Sequence, residues 1–169
     1  TGFYSQRQGV PLRIHYPDED DIEARQFQYI RQFINDFEGK LYSSQFTDGT
    51  TGYRPYVDSL SLAGWYLGSE VSGNIDAFFS TYFYKEQDDD HLYWGPLWDY
   101  DIAYANDNRK GDTSRQLMRD VGYGSEGMRR WVERLWKDPW FTRLIARQYK
   151  QAVDNELEQF MLGKIDSLA

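Results

Sequence analysis

Apolar residues recur at helical spacing over four stretches of the chain and alternate over three short ones, with polar turns between. Residues 1–9 are polar and read as turn-like. Val10–Tyr16 alternates enough for a short strand, and Pro11, which has no N–H to give, confines it to an edge or a strand start. The acidic run Asp18–Asp21 follows, suited to the positive end of a helix. Ile22, Phe27, Ile30, Ile34, Phe37 and Leu41 then predict a long amphipathic helix over about 22–44. A Gly/Thr/Asp-rich loop occupies 47–55, and a second helix over about 58–72 carries Leu60, Ala63, Gly64, Leu67 and Val71 on its expected apolar stripe. Ser72-Gly73-Asn74 ends it.

Phe78–Lys85 and His91–Leu97 are β-like runs joined by Glu86–Asp90, which predicts an antiparallel hairpin. Residues 100–127 carry few periodic apolar positions and read as irregular. Beyond them Met128, Trp131, Val132, Leu135 and Trp136 form one helical stripe. Asp138-Pro139 begins another helix as N-cap and first residue, continued by Phe141, Ile145, Tyr149, Ala152, Val153, Phe160 and Met161. No internal repeat is present. The expected class is α+β, mainly helical, around one antiparallel hairpin.

Composition narrows the functional classes. The 169 residues are 18% aromatic, enough to build a core without staples. A formal charge of −8 argues against nucleic-acid binding, which needs a basic face. No apolar run approaches the ~20 residues of a membrane span. The absence of Cys removes disulfides, thiolate metal sites and thiol nucleophiles, and says nothing of compartment. The chain begins at Thr1 without a Met or a leader-like segment, as expected of a piece of a longer protein.

The chemistry concentrates in Gly95-Pro96-Leu97-Trp98-Asp99-Tyr100-Asp101. In extended chain Asp99 and Asp101 would share one side while Trp98 and Tyr100 pack the other. Two carboxylates at a strand end make an oxygen-only site suited to Mg²⁺, though acidic residues after a strand also serve simply as turn caps. Asn74-Ile75-Asp76 lies between the second helix and the hairpin. Asp76 could act there as a base toward a substrate hydroxyl, and the same triplet could equally be an Asx-turn. The order loop Asp, hairpin, exit Asp is that of protein-kinase-like phosphotransferases. In those, the first Asp orients the nucleophile and the second holds Mg²⁺ on the nucleotide.

The run Asn74–Phe78, then Ser80–Lys85, then Gly95–Tyr104 resembles the spore-coat protein H (CotH) kinase family, whose hallmark is a Gly-Pro-hydrophobic-Trp-Asp-aromatic-Asp sequence after such a hairpin. The likeness extends to Gly52-Tyr53-Arg54, Tyr56-Val57-Asp58, Leu135, Asp138-Pro139 and Phe141, covering roughly 10–150. It implies the C-terminal lobe of an atypical protein-kinase-like fold, with ATP and Mg²⁺ as cofactors, a protein serine as acceptor, and a secreted or cell-envelope location. Asp76 falls at the catalytic Asp and Asp99 at the metal-binding one, with Asp101 a weaker ligand. Asn74, Asp101 and Asn106 are the candidates for holding the nucleotide. A kinase also needs a phosphate-covering N-terminal lobe with a Lys. Residues 1–17 are too few for it, and read as its remnant or the hinge, with 18–169 as the C-terminal lobe. Thr81 stands five residues after Asp76, where ordinary kinases place a Mg²⁺-binding Asn; Asn106 is the substitute on offer.

Several expectations follow. Asp76 and Asp99 should open into one cleft. An exposed aromatic patch should mark the missing lobe near 10–16 and 98–104. The chain should fold, yet transfer no phosphate by itself. Two other functions stay open: a non-catalytic structural or envelope domain, and an Asp-x-Asp metal-dependent glycosyltransferase, which normally places a parallel α/β sheet before its motif. Gly122–Gly127 spells G-x-G-x-x-G but has no strand before it and reads as a loop leading into a helix. Asn106–Gly111 lacks the ligands of a calcium loop, His15 and His91 make no zinc set, and Asp88–Asp90 reads as a solvated hairpin tip.

Overall fold

Where apolar side chains recur every three to four residues the chain is helical, and the helices supply most of the buried surface in the computed structural model, which describes residues 1–168. The first helix, α1 (Ala24–Leu41), starts two residues later than its apolar spacing predicts. Glu23 and Gln26 close a reciprocal capping box at its start. The acidic run ahead of it does not cap the helix: Asp18 instead turns back to accept the N–H groups of Asp20 and Asp21, which leaves Ile22 outside.

The second helix, α2 (Ser59–Ser72), is capped by Asp58, whose carboxylate accepts the Ser61 N–H at 2.7 Å. Its buried face is Leu62, Ala63, Trp65, Tyr66, Ser69 and Ser72. The expected stripe is therefore rotated, and Leu60 is 63% exposed. Trp65 and Tyr66 carry more apolar area than Leu60 and Val71, and their burial sets which side faces inward. Trp65 packs on Trp94 with ring centroids 4.8 Å apart, and Tyr66 on Trp136 at 5.4 Å.

Two small antiparallel ladders complete the frame. The unexpected one joins β1 (Gly2–Tyr4) to β2 (Pro11–Arg13), with Phe3 opposite Leu12, so the N-terminal residues read as turn-like include a strand. The expected hairpin is present but much shorter: β3 (Phe83–Tyr84) pairs with β4 (Tyr93–Trp94). Phe78 and Leu92 lie outside it, each making an isolated parallel bridge, to Gly124 and Val57 respectively. Among the described residues the fold is thus mainly helical with two hairpins where one was expected.

Residues 100–117 are irregular apart from one 3-10 turn, followed by the single-turn α3 (Met118–Val121). α4 (Glu126–Leu135) buries Met128, Trp131, Val132 and Leu135, as its spacing predicts. α5 (Pro139–Asp154) begins on Asp138 as N-cap with Pro139 in its first turn, and packs on α2. The apolar stripe expected to run on from α5 fades, since Tyr149, Val153 and, on α6 (Leu157–Leu168), Phe160 are exposed. None of the described helices is long and apolar enough to cross a membrane.

Two buried carboxylates knit these pieces. Glu38, 0% exposed on α1, receives the Ser5 hydroxyl at 2.7 Å, the Arg7 and Gln8 N–H groups at 2.6 and 3.1 Å, and the Trp131 indole N–H at 2.8 Å. Asp138 receives the Tyr53 hydroxyl at 3.1 Å and the Arg54 guanidinium at 3.0 Å, tying the 53–54 segment to the start of α5. Replacing Glu38 by Gln puts an NH₂ among groups that all donate. The expected loss is about 3 kcal/mol of unfolding free energy, read as a lower urea midpoint. An unchanged midpoint would mean that the carboxylate is dispensable.

Candidate functional site

The loop after α2 is fixed by its backbone. Gly73 adopts φ +61° and closes the helix. Asn74, 1% exposed, uses its side-chain oxygen to accept the Asp76 N–H at 3.1 Å, so the triplet is an Asx-turn and also the mount for Asp76. On the far side Tyr123 clamps the same loop, its N–H donating to the Ile75 carbonyl and its carbonyl accepting the Phe78 N–H. Gly124 continues this contact at φ +132°, where a side chain would strike the Phe78 carbonyl. The glycine-rich segment 122–127 thus serves the Asp76 loop as a backbone partner, and Ser125 caps α4.

Asp76 is half-buried and Asp99 exposed, and one hydroxyl joins them. Ser80 Oγ lies 3.2 Å from Asp76 Oδ2 and 3.1 Å from Asp99 Oδ2. The two carboxylates therefore converge on one point, as expected. A hydroxyl carries a single proton and can donate to only one of them at a time. Burial pushes the Asp76 carboxyl above the ordinary carboxylate range. The charges of Asp99 and Asp101 push the same way, while the Ser80 bond and the Arg109 guanidinium oppose them.

The other candidates are placed differently. Residues 98–101 are not extended: Asp99 sits at φ +61°, in the left-handed region, so the alternation that would pair it with Asp101 is broken. Trp98 is exposed and touches Tyr82 edge-on, whereas the Tyr100 hydroxyl turns inward to Ser69 at 3.1 Å. Asn106 spends its amide on the Asp101 carbonyl at 2.7 Å, closing the 101–106 turn. Asn74 and Asn106 are thus both engaged by backbone, and neither side chain makes a hydrogen bond to the Asp76 or Asp99 carboxylate. Thr81 turns its hydroxyl back onto the Ala77 carbonyl. Asp89 is less solvated than its acidic neighbours implied, holding both His91 and the Tyr93 hydroxyl.

Ser80 itself is absent from the sequence-derived set, because 78–85 reads as a strand in which it is one more alternating polar position. Its spacing of four from Asp76 is the signal that a turn, not a strand, would have used. Arg109 is missed for a similar reason, lying in the stretch with no periodicity.

Beside the carboxylates opens a cavity of about 1060 Å³ between β2 and its continuation, α1 and the 78–96 segment. Ser80 is on its wall and so links it to the carboxylate pair. Tyr16, Phe79 and Trp98 are exposed at its rim, with Tyr104 exposed in the adjoining loop, which matches the expected aromatic patch. His15 packs on Tyr82 and Tyr82 on Trp98, making the aromatic lining continuous. The cavity's lysine is occupied: Lys85 Nζ donates to the Glu86 carbonyl at 3.0 Å and lies over the rings of Tyr29 and Phe33.

Fold and site together define a mainly helical protein with two carboxylates converging beside an aromatic-lined cavity. A family model described as CotH kinase protein matches residues 6–169, and the chain belongs to that family. Searches of curated proteins and of solved structures each return no match.

The raised Asp76 pKa makes a stability prediction. A carboxyl that holds its proton more tightly when folded contributes stability below its unfolded pKa, and that stability is lost as pH rises through the folded value. At neutral pH ionised Asp76 is a cost, which Asp76→Asn removes while keeping an oxygen for Ser80. The variant's Tm should exceed wild type at pH 7, and the gap should close below about pH 3.5. A gap independent of pH would show that the ionised carboxyl costs the fold nothing.

Proposed function

We propose that the chain is the catalytic portion of a Mg²⁺- and ATP-dependent protein kinase that transfers the γ-phosphoryl group to a protein serine, on the C-terminal-lobe part of a kinase-like fold. The observation that carries this reading is the Ser80 hydroxyl in contact with both Asp76 and Asp99. An acceptor hydroxyl entering the same cleft would meet the same pair. Membership of the CotH kinase family supports it independently.

The residues fit a hard cation held mainly by phosphate. No group of three metal-ligating side chains occurs among the described residues, so the protein offers one or two carboxylates, the usual complement for Mg²⁺ on a nucleotide. Asp99, exposed beside the cavity, would be the direct ligand, with Asp101 contributing charge. When bound, the cation neutralises charge on the phosphates. Asp76 has the environment of a base: partial burial and a fixed loop hold it toward the acceptor and raise its affinity for a proton. As the acceptor oxygen bonds to the γ-phosphorus and the bond to the departing ADP oxygen breaks, Asp76 takes the hydroxyl proton. The aromatic cavity would hold the base of the nucleotide.

Lys85, the one lysine on the cavity wall, is committed to carbonyls and rings and is not free to reach the phosphates. For that reason the chain should bind Mg-ATP weakly and transfer phosphate measurably only with a Lys-bearing lobe in place. The glycosyltransferase reading loses support, since the described residues hold two antiparallel ladders and only isolated parallel bridges.

Calorimetry with MgATP and with ATP in EDTA tests the reading. Asp99→Asn should remove the Mg²⁺-dependent part of binding. Asp76→Asn should change binding by less than about threefold, while lowering serine transfer in the lobe-complete protein by roughly 10²–10⁴. Undiminished Mg²⁺-dependent binding in Asp99→Asn, or undiminished transfer in Asp76→Asn, would overturn the assignment.

A further inference from the structure

The segment that clamps the Asp76 loop also carries charge. The Tyr123 backbone is bonded on both sides of Asp76, to Ile75 and Phe78, which fixes this residue against the loop of the candidate base. Over the Tyr123 ring lie two cations, Lys110 Nζ at 4.4 Å and the Arg109 guanidinium at 5.1 Å from the centroid. They are therefore at most about 10 Å from each other, a distance comparable to the screening length at physiological salt. Arg109 is only partly neutralised: its Nε meets Asp107 at 2.6 Å, while its two terminal nitrogens make no hydrogen bond among the described residues. Lys110 Nζ makes neither an ion pair nor a hydrogen bond among them. A chain of charge −8 thus gathers two under-compensated cations on one ring, close enough to Asp76 for Arg109 to act on its carboxyl.

We propose that Arg109 and Lys110, mounted on Tyr123, receive an anionic side chain of the acceptor protein within about three residues of the modified serine. The inference rests on the kinase reading and names its substrate class. Around it the site is acidic, with Asp76, Asp99 and Asp101 repelling an anion everywhere else in the cleft. An acidic acceptor residue is therefore steered to this one spot, which sets the register in which the neighbouring hydroxyl reaches Asp76. The anion has an oxyanion's chemistry, supplied by Asp or Glu or by an already phosphorylated residue.

Amide NMR titration of the 169-residue chain separates the cases. The probes are alanine-rich heptapeptides with one serine followed by two Glu, two Lys, two Ala or two phosphoserines, and inorganic phosphate alone. The Glu or phosphoserine peptide should shift Tyr123 and Gly124 and bind at least tenfold tighter than the Lys peptide, and whichever is stronger identifies the source. Arg109→Ala/Lys110→Ala should erase that preference, and Lys110→Glu should reverse it toward the Lys peptide. An unaltered urea midpoint will show that these exposed substitutions leave the fold intact. Equal affinity for Glu and Lys peptides, or a preference that survives the double substitution, overturns the proposal. So does saturation of the same amides by inorganic phosphate while the acidic peptides leave them unmoved, which would give the cations to the nucleotide. The titration contains no ATP or Mg²⁺, so its failure leaves the kinase reading to be decided by Asp99→Asn, and the converse holds.

Discussion

A carboxylate with no access to water organises this molecule. Glu38 is an ion taken out of solvent, which would be prohibitive without compensation, and four donors from two parts of the chain supply it. The turn between β1 and β2 gives a hydroxyl and two backbone N–H groups, and α4 gives an indole. The N-terminal hairpin is too short to be stable by itself, so this anchorage is what holds it against the helices. β2 and its continuation through His15 and Tyr16 form one wall of the cavity, and the position of that wall follows from Glu38.

The opposite wall depends on a second constraint, the closeness of backbone at Gly124. With no side chain there, residues 123–125 lie against 75–78 and hold the Asp76 loop from outside while Asn74 holds it from inside. The result is a carboxylate with little freedom to relax. Its neighbour Asp99 is fixed by an unfavourable backbone conformation rather than by a strand, which spends local stability to aim a charge. Ser80 between them supplies one proton for two acceptors. The pair is left under-satisfied, a condition that suits a site meant to receive cationic or hydroxyl partners.

Charge is distributed unevenly around this centre. The cleft gathers Asp76, Asp99 and Asp101, while Arg109 and Lys110 lie a short way off on Tyr123. In a chain with excess negative charge such a local reversal is held by neighbouring carboxylates, since the Asp107 hydrogen bond and the charge of Asp76 both favour the Arg109 cation, and its position beside the candidate base gives it meaning.

The sequence by itself determined the helices with strong apolar periodicity, the stop at Gly73, the cap at Asp138, and the family through the Asp76 and Asp99 segments. These are matters of local spacing and turn chemistry, where neighbours along the chain suffice. Tertiary structure decided the rest. The inward face of α2 follows Trp65 and Tyr66 rather than Leu60 and Val71, because packing against α5 and β4 rewards the larger rings. β1 exists because Ser5–Val10 closes over Glu38, a partner more than 25 residues away that no local pattern records. The alternation expected of Asp99 and Asp101 fails because Asp99 takes a left-handed conformation, and period-two reasoning holds only for extended chain. Ser80 and Arg109 reached the site in the same way: each is an ordinary polar residue until the loops at 74–80, 95–101 and 109–124 are folded against one another.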